Sequence, residues 1–299
     1  MRATSGEFYC VISGESGIKY WSFFPNKLTS VVSHFKIDEE LTHILMRTHR
    51  LLGILEGTIR NLSDVEPFLR LGMFCESQKS CAIDGILSGM DGMFRYSAQT
   101  ENDLAVCNYY ILKELKKMPV TTEVLCDISQ TLMAGATKKK YGSIRQSIFL
   151  MHPKFISGSV EYNPPPLEYI PELLKDLEHF IKNESSINIL IKAAVVYYQF
   201  ETIHPFECGN GRVGRILILL MLMNENVLCC PFLPIASSLL EEKPIINVEQ
   251  VSKMLGIAYN TAAKNIGILQ ELGILEQSNN QSRYCQYHYE RLLRIFQFL

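Results

Sequence analysis

No part of this 299-residue chain is apolar for long enough to cross a bilayer, since its run Ile216 to Met223 falls far short of the roughly 18 residues that a spanning helix needs. The opening Met1 to Glu7 lacks the apolar centre of a secretory leader, so a soluble, cytoplasmic protein without a membrane partner is expected. The nine cysteines show no C-x-x-C spacing, and Cys229 and Cys230 are adjacent. That argues against a zinc site or a disulfide framework and predicts reduced, mostly buried thiols. An excess of one charge is also missing: the net charge is −2, too little to draw nucleic acid or an anionic surface. There is no internal repeat and no low-complexity tract. No Gly-Lys pair occurs, which excludes a Walker phosphate loop. What is present is a hydrophobic content of 47%, enough for a globular chain with two domains and a sizeable core.

The informative stretch is His204-Pro-Phe-Glu-Cys-Gly-Asn-Gly-Arg-Val-Gly-Arg215, followed by the apolar run Ile216 to Met223. Gly209, Asn210 and Gly211 can turn sharply, so their backbone N–H groups are free to converge where a helix begins, and a helix N-terminus binds anions. Arg212 and Arg215 lie three apart, on one face of such a helix, and each carries a planar fork of donors matched to phosphate oxygens. Two such residues suggest a polyphosphate. His204 is the side chain of this stretch that can take up a proton near neutral pH, which makes it the general base. Two other readings compete. Gly209-x-Gly211-x-x-Gly214 spells a dinucleotide fingerprint, but that motif needs a short strand before it, and the 17 residues Ile187 to Ile203 favour a buried helix. A tight turn between two core helices, with the arginines facing water, explains the glycines but not His204 and both arginines together.

The pattern His204-Pro-Phe206-x-x-Gly209-Asn-Gly-Arg212-x-x-Arg215 resembles the signature of the Fic family, HPFx(D/E)GNGRxxR. The resemblance implies a helical bundle that moves AMP from ATP to a Ser, Thr or Tyr hydroxyl of a protein, self-modification included. It implies His204 as the base, Phe206 as the anchor of the loop, Gly209 to Gly211 around the phosphates, and Arg212 and Arg215 on the distal ones, with Gly214 inside the same nucleotide-binding stretch. The acidic residue that holds Mg²⁺ in the family is replaced by Cys208, and the acidic Glu207 stands one place earlier. Mg²⁺ prefers oxygen ligands, so the metal position stays unassigned between the two.

Three further segments resemble parts of that family. Phe155 to Asn163, before Pro164-Pro165-Pro166, is similar to the flap, a hairpin that aligns the target by strand addition; an ordinary surface hairpin is the alternative. Glu76 to Gly85 is similar to an N-terminal inhibitory helix, (S/T)xxxE(G/N), with Ser80 and Gly85 matching and Asp84 in place of the glutamate that pairs with the second motif arginine. A plain helix-ending turn at Asp84-Gly85 is the alternative. Residues 248 to 255, 260 to 272 and 273 to 287 resemble a winged helix-turn-helix, closed by a last helix over His288 to Phe298. Its six cations and six glutamates cancel, so protein contact or dimerisation competes with DNA contact there.

Elsewhere, helical spacing marks Asp38 to Leu62, with Asp38 as N-cap, and Val65 to Leu87, while Tyr20 to Pro25 reads as a lead-in strand or coil. Lys138 to Lys140 reads as a solvated loop. The expected architecture is an all-α Fic-type bundle with a β-hairpin flap and a C-terminal winged helix. The expected division is an inhibitory N-terminal region (1–100), a catalytic core (101–243) and a winged helix-turn-helix (244–299). The expected activity is protein adenylylation, with a catalytically weak nucleotide-sensing regulator as the rival. A homodimer stays open.

Overall fold

A computed structural model of the chain describes residues 5–12, 17, 19–31, 37–62, 65–83, 118–133, 142–147, 163–231, 233, 235–236, 245–249, 252, 258–271, 276–277 and 286–288. In chain order its elements are β1 (Gly6–Ile12), β2 (Lys19–Pro25), α1 (Leu28–Val31), α2 (Glu39–Arg60), α3 (Glu66–Ile83), α4 (Thr122–Met133), a 3-10 turn (Leu167–Tyr169), α5 (Ile170–Asn183), α6 (Ile189–Ile203), α7 (Asn210–Asn224), β3 (Ile245–Asn247), α8 (Tyr259–Glu271), β4 (Glu276–Gln277) and β5 (Gln286–His288). They belong to two compact units, Met1–Ile37 with Lys117–Met221, and Asp38–Lys116 with Leu222–Leu299. Helices dominate, as the sequence implies. Among the described residues no helix is long and apolar enough to cross a membrane.

The first unit is built on α5 and α6. In α5 the buried side chains Ile170, Leu173, Leu174, Leu177 and Phe180 recur at steps of three and four, one apolar stripe of a 3.6-residue helix. Pro171 near its start supplies a preset φ where an amide partner is not needed. Asn188 caps α6 by accepting from the Leu190 N–H at 3.0 Å, and α6 is buried along most of its surface, from Leu190 through Val196 and Phe200 to Ile203, with Ala194 and Tyr198 exposed. A helix with so wide an apolar face packs into the core and leaves only a narrow strip outside. Each large apolar side chain fully buried there contributes about 1.5–3 kcal/mol. The stretch before Gly209 is therefore a helix, and the strand that a dinucleotide fingerprint requires is not in front of it. Lys192, buried in this helix, keeps its ammonium satisfied by donating to the Ile181 carbonyl at 2.7 Å.

The all-α expectation needs correcting at the N-terminus. Strands β1 and β2 form an antiparallel pair in the register Gly6↔Pro25, Phe8↔Phe23, Cys10↔Trp21 and Ile12↔Lys19. Aromatic residues on both arms, with Val11 and Ile12 on β1, favour the pleated surface, and Ser22, Phe23 and Pro25 are buried on β2. The pair is locked to the stretch after the expected flap: the Phe23 N–H donates to the Asn163 carbonyl (2.8 Å), Asn163 Nδ2 to the Trp21 carbonyl (2.9 Å), and Ser22 Oγ to the Pro164 carbonyl (2.8 Å). Prolines have no N–H to give, so this run enters the network through its carbonyls alone. The expected flap lies outside the described residues except for Asn163, and the lysine triplet lies wholly outside them.

In the second unit, Asp38 caps α2 through its side chain and the Leu41 N–H (2.8 Å), as expected. The buried residues Leu45, Thr48, Leu52, Leu55 and Ile59 form its inner stripe. Glu56 accepts from Arg60 Nε at 3.1 Å and from the Cys229 N–H, and Glu76 Oε1 on α3 accepts from the Ala236 N–H at 2.6 Å. Near the C-terminus, α8 accompanies a three-stranded antiparallel sheet of order β3-β5-β4, with Ile245↔His288 and Glu276↔His288 in register. Strand β3 was not foreseen. The helix expected over 248–255 is described at only three positions, and the closing helix expected over His288 to Phe298 lies outside the described residues except for His288, which stands in β5. Of the six cysteines whose side chains are described, Cys81 and Cys230 are buried, Cys10 is exposed and three are intermediate, so burial of the thiols is less general than the composition suggests.

Candidate active site

The loop between α6 and α7 holds the residues singled out in the sequence. Helix α6 ends at His204, which caps it in the left-handed region (φ 49°, ψ 60°) with its N–H on the Phe200 carbonyl at 3.0 Å. Histidine enters this region more readily than most residues, yet the conformation still costs about 1–3 kcal/mol. The surrounding bonds stabilise it, because the His204 carbonyl accepts from Arg145 Nε (2.9 Å) and the next carbonyl, Pro205, accepts from the Arg145 N–H (2.8 Å).

Phe206 then turns inward, 2% exposed, with its ring 6.1 Å from that of Phe200. Asn210 brackets it: Oδ1 accepts from the Phe206 N–H (2.9 Å) and Nδ2 donates to the Phe206 carbonyl (2.8 Å). The side chain of Asn210 is thus committed to the loop's shape, leaving its backbone for an anion. Gly209 has φ +74°, a conformation that glycine adopts without steric cost, and a Cβ there would stand 3.3 Å from both Arg212 Nη2 and Met133 Sδ. At the start of α7 the Val213 N–H donates to the Gly209 carbonyl at 3.1 Å. The amides of Asn210, Gly211 and Arg212 precede it, in the turn where a helix concentrates positive potential.

Arg212 and Arg215 are 1% and 3% exposed. Arginines facing water do not describe them, and that alternative falls. Arg212 Nη2 donates to Met133 Sδ at 2.9 Å, which ties the guanidinium to the end of α4. Gly214 faces α6: a Cβ would stand 2.7 Å from Glu201 Oε1 and 2.8 Å from the Tyr197 ring. The reason for glycine at 214 is the close approach of two helices.

Glu207 turns the other way. One or both of its carboxylate oxygens accept from the Gln146 N–H (3.1 Å), the Ser147 N–H (3.2 Å) and Ser147 Oγ (2.8 Å). These bonds hold it on residues 146–147, and Cys208 remains the residue at the family's acidic position. Among the described residues no group of three His, Cys, Asp or Glu side chains is placed to hold a metal ion. A thiol at 208 and a carboxylate tied to backbone amides do not make an oxygen site for Mg²⁺, so the donor set does not fit that ion.

Ser80 lies buried on α3, whereas Asp84 and Gly85 are outside the described residues. Sequence reasoning missed Arg145, Met133 and Ser147. Arg145 contacts the loop 59 positions away, and no spacing rule links residues so separated.

Comparison with known proteins agrees with the motif. The Fic/DOC family profile matches residues 119–222. A probable protein adenylyltransferase from Aquifex aeolicus (strain VF5) is 31% identical over 122 residues, 39% of this chain and 38% of that protein. Protein adenylyltransferase fic-1 of Caenorhabditis elegans is 25% identical over 174 residues, 58% and 30% of the two chains. The chain thus spans well under half the length of either relative. Among solved structures, a Fic family protein from Desulfovibrio desulfuricans G20 aligns with 85% of this chain and 97% of its own at 16% identity and a TM-score of 0.45. With the loop, its buried arginines and the profile in agreement, residues 119–222 are a Fic domain.

Proposed function

We propose that the chain is a protein adenylyltransferase that moves AMP from ATP to a Ser, Thr or Tyr hydroxyl of a target protein, itself included. The observation that carries this reading is the pairing, across one six-residue loop, of a histidine held in a strained conformation with a helix N-terminus backed by two buried arginines. Each guanidinium carries a planar fork of donors matched to phosphate oxygens, and a triphosphate offers several such oxygens. In the reaction the target hydroxyl oxygen bonds to the α-phosphorus, the bond to pyrophosphate breaks, and the hydroxyl proton passes to the His204 ring. Arg212 and Arg215 stabilise the charge that grows on the leaving pyrophosphate, while the amides of Asn210 and Gly211 hold the phosphates. No step here is assigned to Mg²⁺, since the residues at 207 and 208 do not suit it.

In this reading residues 1–100 carry an inhibitory helix with Ser80, Asp84 and Gly85, residues 101–243 the catalytic core, and residues 244–299 a winged helix-turn-helix. Asp84 would restrain transfer by pairing with Arg215. One observation favours a second reading, a nucleotide-sensing regulator with weak catalysis: the thiol at 208 beside a carboxylate engaged elsewhere.

The two separate on incubation with labelled ATP. The enzyme reading expects label on protein, lost at least about 10²-fold in His204→Ala, with ATP affinity held within a few-fold because a base acts on the hydroxyl and not on the nucleotide. Tight ATP binding without any transfer would favour the regulator, and equal loss of binding and transfer would remove His204 from its role.

A further inference from the structure

We propose that Arg145 is the positioning residue of this site, fixing the backbone of His204 so that its ring meets the target hydroxyl. The proposal rests on the adenylyltransferase reading above. Arg145 is 4% exposed, and its guanidinium donates to three main-chain carbonyls from separate stretches: Nε to His204 (2.9 Å), Nη1 to Ser147 (3.2 Å) and Nη2 to Pro165 (2.5 Å). Its own N–H donates to the Pro205 carbonyl at 2.8 Å. One residue therefore grips both carbonyls that flank the His204–Pro205 peptide, where the chain leaves α6 in the left-handed conformation.

The direction of the His204 ring follows from that backbone. Relaxed to an ordinary φ, the residue would aim its Cβ elsewhere, and a misplacement of about 1 Å at a reacting group can cost roughly 10²-fold in rate. Arg145 is itself held from behind. Gly142 has φ +90°, and a Cβ there would come within 2.5 Å of Gln130 Cβ and 2.9 Å of the Cys126 carbonyl, so the stretch leading to Arg145 is pressed onto α4. On the other side, Glu207 ties residues 146 and 147 to the same loop. The arrangement uses geometry peculiar to arginine, a rigid fork that reaches several acceptors at once; a lysine would keep the charge but bring a single compact head.

Arg145→Lys is therefore the informative variant, examined for label transfer, affinity for ATP, thermal melting and the NMR signal of the His204 ring, identified as the one missing in His204→Ala. The expected result is a folded protein with ATP affinity within about threefold of the parent, a shifted His204 ring signal and transfer slower by roughly 10²-fold. Transfer within threefold of the parent, or an unmoved ring signal, would overturn the proposal. Parallel loss of affinity, melting temperature and rate would also overturn it, in favour of a purely structural role. A parent protein that transfers no label would instead bring down the adenylyltransferase reading, and the ring signal would still report whether Arg145 orients His204.

Discussion

At position 208 a thiol stands where the related motif carries an acid, and the neighbouring carboxylate of Glu207 is occupied by Gln146 and Ser147. Cys208→Asp restores an oxygen donor next to the phosphates without disturbing that engagement. A divalent ion at a phosphoryl centre contributes several kcal/mol of charge stabilisation, so the variant is expected to transfer label at least about tenfold faster and only with Mg²⁺ or Mn²⁺ present. Rates measured across a titration of Mg²⁺, in parent and variant, check this. An unchanged rate and metal response would mean that the side chain of residue 208 does not face the phosphates. Asn210 teaches a different lesson at the same scale. The motif marks it as a nucleotide residue, whereas its side chain spends both hydrogen-bonding ends on Phe206. That side chain acts through the shape of the loop, and the backbone N–H is what the residue has left to offer a phosphate.

Among the elements, α6 and α7 show how a missing side chain can be needed. At Gly214 an alanine would gain up to about 1 kcal/mol of helix propensity, but its Cβ would collide with Glu201 and the Tyr197 ring. Overpacking of that kind costs about 1–3 kcal/mol, so Gly214→Ala should lower stability by about 1 kcal/mol net. Gly53, exposed in the middle of α2, has nothing within 4 Å of where its Cβ would stand, and Gly53→Ala should raise stability by about 0.5–1 kcal/mol. Opposite shifts in thermal unfolding are the measurement, and two shifts of the same sign would contradict the packing argument.

The helices were the legible part of the chain because each carries its own period. Helix α5 repeats Ile170, Leu173, Leu174, Leu177 and Phe180 in plain sight, and α2 opens on a cap residue. The loop from His204 to Arg215 was legible because its chemistry is contiguous. The pairing of β1 with β2 was not, since an aromatic run such as Tyr20 to Phe24 carries no clean alternation. Its partner bonds are also remote, 142 positions on for Ser22. The packing of Gly214 was hidden for a related reason: GxGxxG spacing does not say which glycine faces a ligand and which faces another helix.

For the whole molecule, charge sets what the chain can approach. Net charge is −2, and the six lysines and arginines of residues 241–299 are balanced by six glutamates. Non-specific DNA affinity comes mostly from cations on phosphates. The full chain is therefore expected to bind duplex DNA no tighter than about 10⁻⁴ M at physiological salt. An anisotropy titration checks this, and tight binding that survives such salt would show that a local arrangement of Lys264 and Arg283 outweighs the missing excess of positive charge.

The guanidinium of Arg145 also has a consequence for how the site is assembled. Its three acceptor carbonyls lie 2, 20 and 59 positions away along the chain. A buried cation is stable only once its acceptors have arrived, so the fork rewards the meeting of distant stretches and gives nothing to any one of them alone. Closing the longest of these loops costs more entropy than closing the shorter two. Helix α6 can therefore form early on local contacts, while the left-handed turn at its end waits for the remote stretches. Competence for the proposed transfer is then expected late in folding, when the last carbonyl reaches the fork.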